Sequence, residues 1–124
     1  MTRNFPSLIL ALGLTIAAVL FTTLPGNSGI VAGTSKALGG SDITDAIGHA
    51  VLFTALTVAW QRALTAYVGR RTAILIAVIA MLLFGAITEI AQAGIPERGA
   101  SVLDLGANAL GVALASLYIR ARNR

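Results

Sequence analysis

The 124-residue chain contains no cysteine, one histidine and one tryptophan, and only 11% of its residues are charged. The missing cysteines exclude disulfides, thiolate metal sites and cysteine nucleophiles. The shortage of charge excludes more. Soluble domains carry about 25% charged residues, so a water-facing surface of ordinary extent cannot be assembled here. A nearly all-apolar exterior would aggregate in water. The three prolines and 13 glycines form no low-complexity tract, and no internal repeat is present. Apolar residues are what the chain has, at 56%, with a mean hydropathy of +0.85. The net charge of +4 comes from residues scattered at segment ends without interleaved aromatics, which argues against a nucleic-acid partner.

Four apolar stretches stand out, about 7–24, 46–67, 72–93 and 102–119. Each is near the roughly 20 residues that a helix needs to cross hydrocarbon. A spanning strand would alternate apolar and polar residues, whereas these runs are continuously apolar. In lipid a helix satisfies its backbone groups within one segment. The expected fold is therefore all-α, a single four-helix transmembrane domain covering 1–124. Membrane lipids are the first expected partners.

Four crossings put the N-terminus, the second loop and the C-terminus on one side. That side carries Arg3, Arg62, Arg70, Arg71, Arg120, Arg122 and Arg124, and the other carries Lys36 and Arg98. Lys and Arg accumulate on the cytoplasmic side, so both termini are expected to be cytoplasmic. Arg3 followed by an apolar run also resembles a signal peptide, with Val31-Ala32-Gly33 as a cleavage site well beyond the apolar core. A retained helix is the expectation. The first loop, Pro25 to Thr44, is rich in Gly and Ser and is expected to be a loosely ordered linker or a mobile lid on the outside.

The polar residues inside these spans cluster. Asp45 and His49 open the second helix, Glu89 and Gln92 close the third, and Ser101, Asp104 and Asn108 open the fourth, after Glu97 and Arg98 in the short third loop. By the topology above, all of these helix ends face outward. Asp45 and His49 are four apart; Glu89 and Gln92 are three apart, with Gly85 extending the stripe; Ser101, Asp104, Asn108 and Gly111 follow a three-four-three spacing. Each set lies on one helix face, and intramembrane ionisable groups face the bundle interior and mark function. Bland readings exist for each. Ser101 and Asp104 fit a capping box, Asp45 complements a helix dipole, and His49 would serve as a donor to a neighbouring helix. Glu89 fits none of these, sitting at a helix C-terminus among Ile87, Ile90 and Ala91. Arg98 is its expected partner, followed by His49. The first helix is expected to contribute nothing to this layer.

The same residues carry a resemblance. The stretch DAIGHAVLF from Asp45 to Phe53 looks like the first motif of the VanZ-like membrane proteins. EIAQ from Glu89 to Gln92, with PERGASVLDLGANALG from Pro96 to Gly111, looks like the second. The resemblance covers about Asp45 to Gly111; the first helix and first loop match only in general character. It implies a polytopic protein of the bacterial inner membrane, associated in some members with glycopeptide (teicoplanin) resistance, and no settled reaction.

A site for a lipid or cell-envelope molecule entering from the outer leaflet is the leading expectation. Arg98 would hold a phosphate or carboxylate head group, since its planar fork suits such anions. Gln92, Ser101 and Asn108 would make further ligand contacts. Asp45, His49, Glu89 and Asp104 would supply acid–base chemistry, with His49 as the proton carrier near neutral pH. No nucleophile motif accompanies them, so enzyme and non-enzymatic binder both stay open. The cofactor is unknown. A divalent metal is a lesser possibility, held by His49, Glu89 and Asp104 with Asp45 oriented behind the histidine. One imidazole and several carboxylates suit a hard or intermediate cation. The alternatives are an accessory protein whose polar cluster is structural, and a small transporter, disfavoured because only Thr54, Thr57 and Gln61 are polar further along the second helix.

Overall fold

In the computed structural model, residues 5–37 and 39–122 are described, and they form five α-helices and no strand. These are α1 (Phe5–Thr23), α2 (Gly29–Ala37), α3 (Asp42–Val68), α4 (Arg70–Gln92) and α5 (Val102–Ala121). Arg3 and Arg124, used above for topology, lie outside the described residues. Helices α1, α3, α4 and α5 are long and apolar enough to cross a membrane. On α4, Leu75, Ile79, Leu83, Ile87 and Ile90 form an exposed row, with Ile90 74% accessible. In water such a surface is untenable; in lipid it is the required one. The chain is a multi-pass membrane protein.

Lipid tails are as apolar as leucine, so the helices associate through close packing and hydrogen bonds between them rather than through hydrophobic burial. Small residues supply the packing. Ala11, Ala59 and Ala63 form a buried cluster where α1 meets α3. On α4, Ala73, Ala77, Met81 and Gly85 recur every four residues and are all buried. The larger core residues, Phe53, Leu56, Met81 and Val112, lie at mid-bundle with Ala18, and the Phe53 ring packs against Phe84 at 5.8 Å. Helix α3 is central, contacting α1, α4 and α5, and its interface with α5 is the most extensive. That approach depends on Gly111, where a Cβ would collide with the Ala50 carbonyl oxygen. Thr54 Oγ1 donates to Gly111 O at 3.1 Å across the same contact.

The helix ends differ from the expected ones in three places. Gly69 alone joins α3 to α4, at φ 77, so Arg70 and Arg71 belong to the first turn of α4 rather than to a loop. Only glycine adopts that backbone conformation at low cost. Helix α3 begins at Asp42 because Ser41 caps it, accepting from Thr44 N. The first loop contains a helix, α2. Ser28 caps it by accepting from Val31 N at 3.3 Å, and Val31 is buried. The expectation of a loosely ordered linker is corrected: Gly29 and Gly33 lower helix propensity, but the cap and the anchored Val31 outweigh them.

Candidate functional site

The connections α1–α2–α3 and α4–α5 lie at one end of the bundle and Gly69 at the other. The predicted polar layer sits at the loop end. Three helices bring its members together: α3 carries Asp45 and His49, α4 carries Glu89 and Gln92, and α5 carries Asp104 and Asn108.

The start of α5 explains how the layer is built. Ser101 caps the helix as expected, its Oγ accepting from Asp104 N at 3.2 Å. In a complete capping box the acid three residues on would accept from the cap residue's own N–H. Here Glu89, reaching from α4, does so instead: Ser101 N donates to Glu89 Oε2 at 3.0 Å. The Asp104 carboxylate is thereby released from the cap and lies 4.0 Å from His49 Nε2. The expected partner of Glu89 was Arg98; its hydrogen-bond partner is this backbone amide. A carboxylate at the C-terminal end of α4 is accommodated because it meets the N-terminus of α5, where the helix dipole favours an anion.

His49 is oriented from its other ring nitrogen. Nδ1 lies 2.9 Å from Asn108 Oδ1, so with the amide oxygen accepting, Nδ1 donates and Nε2 is the ring nitrogen left facing Asp104. Asn108, rather than Asp45, thus stands behind the histidine. Room for Asn108 comes from Gly85, where a Cβ would lie 3.2 Å from Asn108 Cβ. Asn108 is almost fully buried and, like Glu89, does not line the cavity described below. Its role is to position His49.

A cavity of about 1040 Å³ opens beside these residues. Its wall includes Asp45, His49, Arg98, Ser101 and Asp104, together with apolar side chains such as Leu52 and Leu103. Helix α1 also forms part of it, through Ala17, Ala18, Phe21 and Thr22, and α2 contributes Val31 and Lys36. The expectation that the first helix adds nothing is corrected. Its last turn accepts from two site residues: Arg98 Nη2 donates to Phe21 O at 2.9 Å, and Gln92 Nε2 to Thr22 O at 3.3 Å. Sequence reasoning missed this because the acceptors are backbone carbonyls, which any residue supplies. The signal available was their position, since the last four carbonyls of a helix lack intrahelical partners.

Arg98 also lies over the Phe21 ring, 5.9 Å from its centroid. Burial draws its guanidinium below the ordinary arginine range, while Asp45, Asp104 and Glu89 pull in the opposite direction. It stays charged. Gly26 N donates to Pro96 O at 3.4 Å, tying the turn before α2 to the loop that carries Arg98.

Among the described residues, one atom each of His49, Glu89 and Asp104 fall within 4.8 Å of one another, a group that can hold a metal ion. Further along α3 the polar residues are spent on structure. Thr57 Oγ1 donates to Phe53 O, Gln61 Nε2 to Thr65 Oγ1, and Trp60 Nε1 to Thr15 Oγ1 at 2.9 Å, joining α3 to α1. The chain matches no protein-family model, no curated protein and no solved structure.

Proposed function

We propose that this is a VanZ-like protein of the bacterial inner membrane, with both termini cytoplasmic and the cavity facing outward. In this reading the cavity binds or modifies a lipid or another cell-envelope molecule, with a link to glycopeptide (teicoplanin) resistance. The orientation is supported by Arg62, Arg70, Arg71, Arg120 and Arg122 at the Gly69 end, against Lys36 and Arg98 at the loop end. The family reading is supported by the motif resemblance alone, whose polar positions are those gathered at the cavity.

The observation that carries the ligand reading is the cavity's composition. Its volume of about 1040 Å³ is on the scale of small-molecule sites, about 300–1,000 Å³. Apolar walls from α1, α3 and α5 suit an acyl or isoprenoid chain. Asp42, Asp45, Glu97 and Asp104 outnumber Lys36 and Arg98 along the wall. A purely anionic head group is therefore attracted only at Lys36 and Arg98, and a group bearing both charges matches the wall better. His49 Nε2 and the Asp104 carboxylate, 4.0 Å apart, line the same cavity and would be the groups that exchange protons with a bound head group.

The test is to purify the full chain in mild detergent and identify co-purifying lipid by mass spectrometry, beside lipid extracts of cells with and without the protein. Arg98→Ala is expected to lose the bound species with little change in melting temperature. Absence of any co-purifying lipid, together with an unchanged cellular lipid profile, overturns the reading. A second reading, in which the cluster only locks helices together, is favoured by the His49–Asn108 and Gln92–Thr22 hydrogen bonds between helices. It expects His49→Ala, Asn108→Ala and Gln92→Ala each to lower the melting temperature while teicoplanin sensitivity stays unchanged.

A further inference from the structure

The triad at the end of the cavity has a chemical deficit that no described protein group fills. Glu89 is only 5% accessible, and while its Oε2 accepts from Ser101 N, its Oε1 is buried with no hydrogen-bond partner. A buried carboxylate oxygen without a donor is expensive. One oxygen of each carboxylate, Glu89 and Asp104, and one His49 ring nitrogen lie within 4.8 Å of one another, which brings two like charges close together. Arg98 does not hydrogen-bond to either; among the described residues its guanidinium donates to Phe21 O. A small cation between the carboxylates removes both problems together.

We infer that His49, Glu89 and Asp104 form a binding site for a divalent first-row transition cation such as Zn²⁺ or Mn²⁺, with His49 ligating through Nε2. Each ligand is already held from behind. Asn108 Oδ1 accepts from His49 Nδ1 at 2.9 Å, fixing the tautomer that leaves Nε2 free. Outer hydrogen bonds of this kind orient most ligating histidines. The Ser101 amide holds one Glu89 oxygen at 3.0 Å and leaves the other unpartnered. The ligand atoms, within 4.8 Å of one another, need to close to roughly 3–3.5 Å around an ion with bonds of about 2.0–2.2 Å.

The donor set decides the class of ion. One imidazole nitrogen with two carboxylates suits zinc, manganese or iron, whereas calcium and magnesium prefer oxygen alone. Three protein ligands leave one or more positions open, the pattern of a metal site that meets a ligand. His49 and Asp104 line the cavity, so the open positions face the space assigned above to an envelope molecule. The inference rests on that reading only for what fills those positions.

The test uses the full-length protein in detergent, stripped with EDTA and titrated separately with Zn²⁺, Mn²⁺, Mg²⁺ and Ca²⁺. Saturable binding of about one Zn²⁺ or Mn²⁺ per chain is expected, with a rise in melting temperature that Mg²⁺ and Ca²⁺ do not reproduce. Pulsed electron paramagnetic resonance of the Mn²⁺-loaded protein should show coupling to one imidazole nitrogen, lost in His49→Gln. Asn108→Ala should weaken binding by about 10–100-fold. No saturable binding at millimolar Zn²⁺ or Mn²⁺, or no nitrogen coupling in the wild-type protein, overturns the inference without the need for any variant to fold. Binding unchanged in Glu89→Gln and Asp104→Asn also overturns it. Lipid that co-purifies equally with metal-free protein that takes up no ion defeats the metal site and spares the cavity reading. One bound ion with no co-purifying lipid and an unchanged cellular lipid profile supports the metal site and defeats the cavity reading.

Discussion

The two ends of this bundle are made from the same helices and are held together differently. Toward the Gly69 end α1, α3 and α4 bury Ala11, Ala59, Ala63, Ala73 and Ala77, and small apolar side chains dominate there, with the Trp60–Thr15 hydrogen bond beside them. At the loop end these helices and α5 meet through Glu89, Gln92, Asn108 and Thr22, also buried, and contact there runs through hydrogen bonds. Packing alone suffices for the first, because lipid offers apolar surfaces nothing better than a close neighbour. The second places polar groups at cost in a low-dielectric setting and leaves Glu89 Oε1 and Asn108 Nδ2 without partners. An end built only for stability would not carry that deficit.

Substitutions separate the two kinds of contact. Gly111→Leu should have the largest effect, because the side chain would drive α5 off the Ala50 carbonyl. About 3 kcal/mol or more is expected, read as a loss of helical signal at a lower temperature in detergent. A small effect would mean that the α3–α5 approach is looser than described. Glu89→Ala comes next. It strips the part-buried Ser101 amide of its acceptor, and an unpaired donor costs about 1–3 kcal/mol when fully buried, so a loss at the lower end of that range is expected. Glu89→Gln keeps an acceptor oxygen, so it should melt close to wild type while losing ligand or ion. If the two variants melt alike, the capping role of Glu89 is wrong. Smallest of all is Trp60→Phe, which removes the Nε1–Thr15 bond. Hydrogen bonds between membrane helices average about 0.6 kcal/mol, so thermal melts should detect only a slight loss. A large loss would show that this end, too, depends on polar contacts.

The boundary errors in the sequence reading have particular causes. Ser41 and Ser28 are both N-caps, but Ser41 follows Gly39-Gly40 and Ser28 follows Pro25-Gly26-Asn27, stretches that read as turn or loop. Ser101 was recognised as a cap because an acid follows three residues on, and its side chain does cap Asp104 N.

Composition and periodicity by themselves determined the four long apolar helices and the grouping of polar residues on one face of three of them. These follow from local chemistry: in lipid a continuous apolar run has no other satisfied backbone conformation, and a spacing of three or four puts residues on one helix face. The resemblance between Asp45 and Gly111 picked out the same positions. Only the tertiary structure decided which polar groups meet. That Glu89 takes over the Ser101 amide and frees Asp104, that Asn108 holds His49, and that α1 offers Phe21 and Thr22 carbonyls to Arg98 and Gln92 all depend on how helices distant in sequence are placed. Backbone donors and acceptors carry no residue identity, so a sequence does not mark where they will be used.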